Sequence, residues 1–307
     1  MLKRSLLVAC AVAAVCAPSA AAADISDPAA QNVTALDGTV VWVSGESGRQ
    51  VLMQRGPDGV VVRVPGAPEA ARYGTIDLGR GTSGELVLSY MRCATLNSCV
   101  ARRDDLQGKR SSFCGLTPAG CSLTTAPAVW RTRVAYGLLC KVRSRSGLWV
   151  QNGSRAARRL PLPRDAVRYG ATTITSVDLR GERVAAVAAD IYEYAFSQTV
   201  GGRRMESMLV AASEGESDAH ARGLALGTTS TLWALTDASH AGDPNEALVF
   251  RLAGACQGWQ RLANASGPEQ ETGYRASDVA ADGTAVWLVA PGVGIVQHEY
   301  APERACS

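Results

Sequence analysis

Three motifs that would identify common enzyme classes are absent from this 307-residue sequence. Its three histidines, His220, His240 and His298, stand apart, and no His-Glu-x-x-His pairing occurs, which argues against a zinc peptidase helix. There is no Gly-x-Ser-x-Gly motif for a serine nucleophile and no Cys-x-x-Cys pair for a typical zinc site. We therefore lean towards a protein that is not an enzyme and predict no catalytic residue.

Long helical periods and long apolar runs are also missing after residue 23. No long segment keeps an apolar period of 3.6 residues, so we expect few helices. Residues 79–84 match the Gly-x-Gly-x-x-Gly dinucleotide fingerprint, but a predicted strand follows them where the fingerprint needs a helix. No later run is long enough to span a bilayer, so we predict no transmembrane segment.

The first 23 residues have the pattern of a signal peptide. Lys3 and Arg4 precede an apolar run over 6–17, and three alanines precede Asp24. We predict export, with residues 24–307 as the mature chain in a periplasmic, cell-envelope or extracellular location. Cys10 lies in a sequence that matches a lipid-attachment box, but only about four apolar residues precede it, so a lipoprotein is the less favoured alternative.

The net charge is small. Removing residues 1–23 lowers it from +3 to +1, which argues against nucleic acid or an anionic membrane as the main partner. No Ser/Gly-rich linker or charge run interrupts the mature chain, so we expect a single domain, and a monomer.

An internal repeat is the strongest signal in the sequence. The hexapeptide Asp-Gly-Thr-Val-Val-Trp at 37–42 returns as Asp-Gly-Thr-Ala-Val-Trp at 282–287, and weaker copies occur at 84–90, 132–136, 181–186 and 231–233. Five steps of about 49 residues separate the two strong copies, a period typical of propeller blades. Short Val-rich runs between turn residues predict strands at 33–36, 39–43, 50–54 and 60–64 in the first unit. The sequence thus predicts an all-β fold, a six-bladed β-propeller of four-stranded antiparallel blades.

Two stretches carry a resemblance to a known family. Pro-Ala-Val-Trp at 127–130, followed by the runs at 133–136 and 147–150, and Ile-Asp-Leu-Gly at 76–79, followed by 87–93, resemble TolB-like, or WD40-like, β-propellers. The resemblance implies the propeller fold and favours protein partners, and it carries no functional residues across.

Closure of the ring has two alternatives. The last unit supplies about three strands, at 277–280, 284–289 and 294–300. Residues 24–32 could add a fourth, although Pro28 and two alanines make this a poor strand; otherwise the ring is imperfectly closed.

Seven cysteines remain in the mature chain, and export makes disulfides the default interpretation. Proximity in sequence predicts a Cys93–Cys99 bridge and a Cys114–Cys121 bridge, while Cys256 and Cys306 could join the fifth unit to the C-terminal tail. Cys140 is then left as a buried thiol or as an exchange partner within its region.

Four long loops are predicted in the same slot of successive units, and they should open on one face of the ring. They span 92–98, 139–146, 189–204 and 236–246. The fourth-unit loop places acids among aromatics, which suits a sugar or a peptide; its candidate ligand-binding residues are Asp190, Tyr192, Glu193 and Tyr194. The alternative is that these aromatics alternate along a strand or hairpin and pack on the neighbouring unit.

The fifth-unit loop contributes Asp237, His240 and Asp243 to the candidate ligand-binding set. Its oxygens could gather around Ca²⁺, but the spacing is not that of an EF-hand, and a structural loop is the stronger interpretation; no other cofactor is indicated. We predict a non-catalytic module that binds a protein or glycan of the cell envelope. The alternative function is an extracellular carbohydrate-active hydrolase or lyase that uses the loop carboxylates.

Overall fold

The computed structural model describes residues 24–299 except 96–97, 114, 203, 215–216, 228–230, 241–245, 253–258, 265–276, 284 and 291. These residues form an all-β fold of 24 strands, with one five-residue helix, α1 (Arg164–Arg168), and one 3₁₀ turn (Arg143–Arg145). Within this part of the chain, no helix has the length and apolar character needed to cross a membrane.

The strands follow one another in six groups, which we call segments 1 to 6. Segment 1 contains β1 (Val33–Leu36), β2 (Thr39–Ser44), β3 (Val51–Arg55) and β4 (Val61–Arg63), and segment 2 contains β5 (Arg72–Arg80), β6 (Leu86–Thr95), β7 (Ser98–Asp105) and β8 (Arg110–Ser112). Segment 3 contains β9 (Cys121–Leu123), β10 (Ala128–Trp130), β11 (Arg133–Cys140), β12 (Gly147–Asn152) and β13 (Arg158–Arg159).

Segment 4 contains β14 (Thr173–Arg180), β15 (Arg183–Ala189), β16 (Tyr192–Thr199) and β17 (Met205–Glu214). Segment 5 contains β18 (Ser217–Leu226), β19 (Leu232–His240), β20 (Glu246–Leu252) and β21 (Trp259–Asn264), and segment 6 contains β22 (Asp278–Asp282), β23 (Ala285–Ala290) and β24 (Gly294–Glu299).

Within each segment the strands pair antiparallel, mostly in sequence order. The first unit matches the predicted strands to within one residue. Its Asp37-Gly38 turn has φ of 53° and 73°, the left-handed pair that a two-residue hairpin requires. Two links run between segments: β10 pairs with β5 at Trp130 and Arg80, and the outer end of β17 pairs with β18. These links give sheets of nine and eight strands where separate four-stranded sheets were predicted.

One strand of each segment lies next to the equivalent strand of the following segment; it is β10 in segment 3 and the first strand in the other segments. Contacts join β1 to β5, β5 to β10, β10 to β14, β14 to β18 and β18 to β22, and β22 contacts β1. Apolar clusters fill the spaces between neighbouring segments, for example Leu36, Leu52, Leu78 and Leu88 between segments 1 and 2. A sheet that is covered on both faces explains the short Val-rich strands.

The two strong repeat copies meet where the last segment joins the first. Trp42 and Trp287 lie in one buried cluster, and the Arg55 guanidinium carbon lies 4.6 Å from the Trp287 ring centroid. At the same junction Asp278 accepts a 2.9 Å hydrogen bond from the Val33 N–H. The repeat therefore marks two neighbouring sheets, although about 245 residues separate them in sequence.

The residues that precede β1 cover the edge of segment 6 at β24. Ile25 and Ile295 of β24 exchange two backbone hydrogen bonds of 2.9 Å. Asp27 accepts a 2.6 Å bond from the Trp42 indole N–H, which fixes the same residues onto β2. Of the two closure alternatives, the structure thus shows the N-terminal segment on the last sheet, as a single bridge and not as a full strand.

Two disulfides staple neighbouring strands. Cys93–Cys99 joins facing residues of β6 and β7, as predicted. Cys121 bonds to Cys140 and not to Cys114, so the predicted Cys114–Cys121 pairing is wrong. The physical reason is β9, a short strand that the sequence did not indicate, which places Cys121 directly opposite Cys140 on β11. Cys114, Cys256 and Cys306 lie outside the described residues.

Candidate functional site

The long loops predicted on one face are mostly paired strands. Strand β16 (Tyr192–Thr199) occupies the middle of 189–204, with residues 190–191 and 200–202 as turns on either side. Strand β19 continues to His240, and β6 and β7 cover most of 92–98. The 139–146 connection keeps a longer non-strand stretch, which contains the 3₁₀ turn. The loop prediction was wrong because antiparallel hairpins extend pairing through polar residues when a neighbouring strand is in register.

The fourth-segment candidates divide between the surface and the core. Asp190 lies at the β15–β16 turn, with its Oδ2 3.7 Å from Arg143 Nη2. The Tyr192 ring lies 4.8 Å from the Tyr169 ring, between centroids. Tyr194 is buried in the core shared by segments 3 and 4, and burial raises the pKa of its hydroxyl. These aromatics therefore pack on a neighbouring sheet, which was the alternative interpretation.

Glu193 is the candidate whose environment is chemically distinctive. Its side chain is 10% exposed, its Oε2 accepts a 2.7 Å bond from the Ala221 N–H, and its Oε1 lies 3.0 Å from His220 Nδ1. The carboxylate thereby links segment 4 to segment 5 and orients the imidazole ring. Sequence analysis named Glu193 but did not connect it with His220, 27 residues away, because only the strand register brings them together.

Two of the fifth-segment candidates lie on a paired strand. The backbones of Asp237 and His240 pair with His220 and Ser217 along β18 and β19. Asp243 lies outside the described residues. Among the residues that the structure covers, no group of three His, Cys, Asp or Glu side chains is arranged to hold a metal ion.

Three buried carboxylates line one cavity of about 70 Å³. Asp77, Asp178 and Asp278 occupy the first strands of segments 2, 4 and 6, and they accept the backbone N–H groups of Val129 (β10), Leu226 (β18) and Val33 (β1) of the next segment. Burial raises the pKa of Asp77 well above its usual range, and the nearby charge of Asp178 raises it further. Burial also raises the pKa of Asp278 to about 7, against two backbone hydrogen bonds that lower it.

Arg180 closes one end of this cavity. Its side chain is 9% exposed, its Nη2 donates a 2.7 Å bond to the Ala35 carbonyl of segment 1, and its Nε lies 3.5 Å from Asp178 Oδ1. Neither Nε nor Nη1 makes a hydrogen bond in the described structure. A buried polar group without a hydrogen bond costs about 1–3 kcal/mol, so this guanidinium has free donor capacity.

A second cavity lies on the other side of Arg180, at the ends of the first strands, and we call it the turn-face pocket. Its volume is about 520 Å³, and residues from segments 1 to 5 line it, among them Asp37, Arg80, Trp130, Arg180, Glu182 and Arg183. The charged groups at its wall are paired with protein partners: Arg80 with Asp37, Glu182 with Arg133, and Arg183 with Glu206. The half-buried Trp130 remains for a ligand, whereas the unpaired Nε and Nη1 of Arg180 are buried.

Sequence comparison identifies no relative: no family model matches the chain, and no curated protein matches its sequence. Solved structures do resemble it. A fungal lectin, the Aleuria aurantia lectin, described as a six-bladed β-propeller with a novel fucose recognition mode, superimposes with a TM-score of 0.50 at 13% identity, over 90% of this chain and 93% of the lectin.

A putative TolB from Agrobacterium tumefaciens gives a TM-score of 0.50 at 9% identity, over 89% of this chain and 91% of that one. At such low identity these similarities concern the fold. The chain is an all-β protein whose structural neighbours are β-propellers, including TolB-like and lectin propellers.

Sequence analysis missed Asp77, Asp178, Asp278 and Arg180. A signal was present, because each aspartate stands in a short apolar strand, where an unpaired charge is costly. What the sequence could not show is that the three aspartates line one cavity.

Proposed function

We propose that this protein is an exported, monomeric six-bladed β-propeller that binds a glycan of the cell envelope without transforming it. Each segment supplies one blade, four-stranded in principle, and residues 24–32 complete the sixth. Segments that contact in a cycle around an axial cavity support this assignment. The two disulfides suit an oxidising, extracytoplasmic compartment.

The observation that carries the binding function is the turn-face pocket. It offers the exposed part of the half-buried Trp130 ring, on which a sugar ring can stack, within a wall of paired charged side chains. Its volume is within the range of small-ligand pockets. Since the acids at its wall are held in ion pairs, the pocket favours binding over acid–base chemistry. The proposal requires no cofactor.

A panel of envelope glycans, measured by calorimetry against residues 24–307, tests the proposal. Trp130→Ala should weaken binding about tenfold or more through lost stacking. Trp149→Ala is the matched control, since Trp149 is also a half-buried tryptophan of segment 3 but lies outside the pocket. Equal binding by both variants would contradict the site. Crosslinked capture of an envelope protein, without glycan binding, would establish a protein partner instead.

One observation favours the second candidate function, a carbohydrate-active hydrolase or lyase. Glu193 orients the His220 ring through Nδ1, an arrangement that can support a general base. If this function is correct, Glu193→Gln should abolish turnover of a polysaccharide while leaving affinity and folding intact. If glycan affinity persists and neither native protein nor variant cleaves it, the binding module is retained.

A further inference from the structure

A cleft at the outer side of segments 1 and 2 gathers three arginines that form no ion pair with any residue that the structure describes. We call it the arginine pocket; it has a volume of about 310 Å³ and is lined by Pro68, Tyr90, Arg92, Arg102, Arg110, Ser111 and Ser112. It shares no residue with the turn-face pocket.

Strand register places the three guanidinium groups on one face of the sheet. Tyr90 and Arg92 are two residues apart on β6, and Arg102 of β7 lies directly opposite Tyr90. Ser112 of β8 lies opposite Arg102, and Arg110 is two residues before Ser112. Because side chains at a spacing of two share a face, the arginines project to the same side of three adjacent strands.

The floor of the pocket is rigid. The Tyr90 hydroxyl donates a 2.6 Å bond to Asp104 Oδ2, and Asp104 is 1% exposed. The Tyr73 ring packs edge-on against Tyr90, with 5.4 Å between centroids, and its hydroxyl donates to the Pro68 carbonyl. The positions from which the arginines extend are therefore fixed by buried side chains.

The charges of this pocket are not balanced by ion pairs. In the described part of the chain Arg102 and Arg110 make neither a side-chain hydrogen bond nor an ion pair, and Arg92 donates only to the Glu69 carbonyl, at 3.2 Å. Asp104 is the single carboxylate at the base, and burial raises its pKa, whereas Arg102 and Arg110 lower it. By contrast, the clefts at Arg80, Arg133 and Arg183 each contain a carboxylate partner.

We propose that the arginine pocket binds a tetrahedral oxyanion, a phosphate or sulfate monoester, carried on a sugar-sized molecule. Three guanidinium forks and the Ser112 hydroxyl offer donors to several oxygens at once, whereas a planar carboxylate is satisfied by one fork. The cavity is larger than the anion alone, which leaves space for the group that carries it. The inference does not depend on the proposed function of the turn-face pocket.

Calorimetry on residues 24–307 with glucose 6-phosphate, glucose 6-sulfate, glucuronate and glucose tests this site. Arg102→Gln and Arg110→Gln should each weaken binding of the phosphate or sulfate probe about tenfold or more, since a charge-assisted hydrogen bond is lost. Arg103→Gln is the matched control, because Arg103 is adjacent on β7 but points to the opposite face and loses the same charge. The affinity of Arg103→Gln for the phosphate or sulfate probe should be within about twofold of the affinity of the native protein.

Arg102→Lys keeps the positive charge but removes the two-pronged guanidinium group. It should show the native circular dichroism spectrum together with weakened binding, which would separate loss of the guanidinium contacts from loss of folding. Native protein that binds neither ester at about 10 mM would overturn the proposal. So would equal loss in Arg103→Gln, which would indicate only a general charge effect. Glucuronate binding as tight as that of the esters would overturn the tetrahedral assignment.

Discussion

Replacing Asp278 by Asn should change how the stability of this protein depends on pH. Asp278 joins the last segment to the first through the Val33 N–H, and burial raises its pKa to about 7 in the folded state. In the unfolded chain the pKa is about 3.9. The folded state therefore binds this proton more tightly, so the favourable contribution of protonated Asp278 is complete below about pH 4 and is lost as the pH rises through 7.

The magnitude follows from the two pKa values. A difference of about three units, at about 1.4 kcal/mol each, gives at most about 4 kcal/mol of destabilisation above pH 7. Asparagine keeps a carbonyl oxygen for the Val33 N–H and has no charge to bury. The difference in unfolding temperature between Asp278→Asn and the native protein should therefore shift in favour of the variant by up to about 8 °C between pH 4 and pH 8.

Differential scanning calorimetry across this pH range is the assay. Asp282→Asn is the control, since Asp282 accepts the Gly38 N–H at the same junction but lies at a turn, where solvent screens its charge. The raised pKa of Asp77 also makes stability fall as the pH rises, in the variant as well as in the native protein. The quantity to compare is therefore the difference between the unfolding temperatures of variant and native protein at each pH. Parallel profiles for native protein and Asp278→Asn would refute the reasoning.

Three further predictions concern stability. Replacing Cys121 and Cys140 together by Ser should lower the free energy of unfolding by about 3 kcal/mol, because the bridge spans a sequence separation of 19, and peptide mapping that found another partner for Cys121 would contradict the structure. Gly79→Ala should cost about 3 kcal/mol, since its Cβ would lie 1.8 Å from the Val129 carbonyl oxygen; an unchanged unfolding temperature in a thermal scan would refute this. Deleting residues 24–28 should lower the unfolding temperature by about 4 °C through loss of the bridge to β24, and a denaturation midpoint equal to that of the native protein would show that the edge needs no cover.

The arginine and turn-face pockets differ in how their charge is compensated. At the turn-face pocket, Arg80 and Arg183 are neutralised by Asp37 and Glu206, and the unused donor atoms of Arg180 are buried. At the arginine pocket the guanidinium groups remain without carboxylate partners in the described chain. We therefore expect salt to weaken binding at the arginine pocket more than at the turn-face pocket.

The candidate site was only partly within reach of sequence analysis. Glu193 was named for its place among aromatics, yet its partner His220 and its burial depend on pairing between two segments. The aromatics beside it were assigned to a loop because loops and the polar ends of hairpins have similar residues. Pairing with strand β17 is what makes this stretch a strand.

The sequence by itself determined the strands of the first unit, the Asp37-Gly38 turn and the Cys93–Cys99 bridge, because each depends on interactions within a few residues. The repeat likewise indicated six similar units, since equivalent sheets need equivalent patterns. Tertiary structure alone decided that Cys121 faces Cys140, that Asp77, Asp178 and Asp278 line one cavity, and that three arginines share one cleft. Those juxtapositions depend on strand register and on packing between sheets, which bring together residues whose separation along the chain carries no signal of their contact.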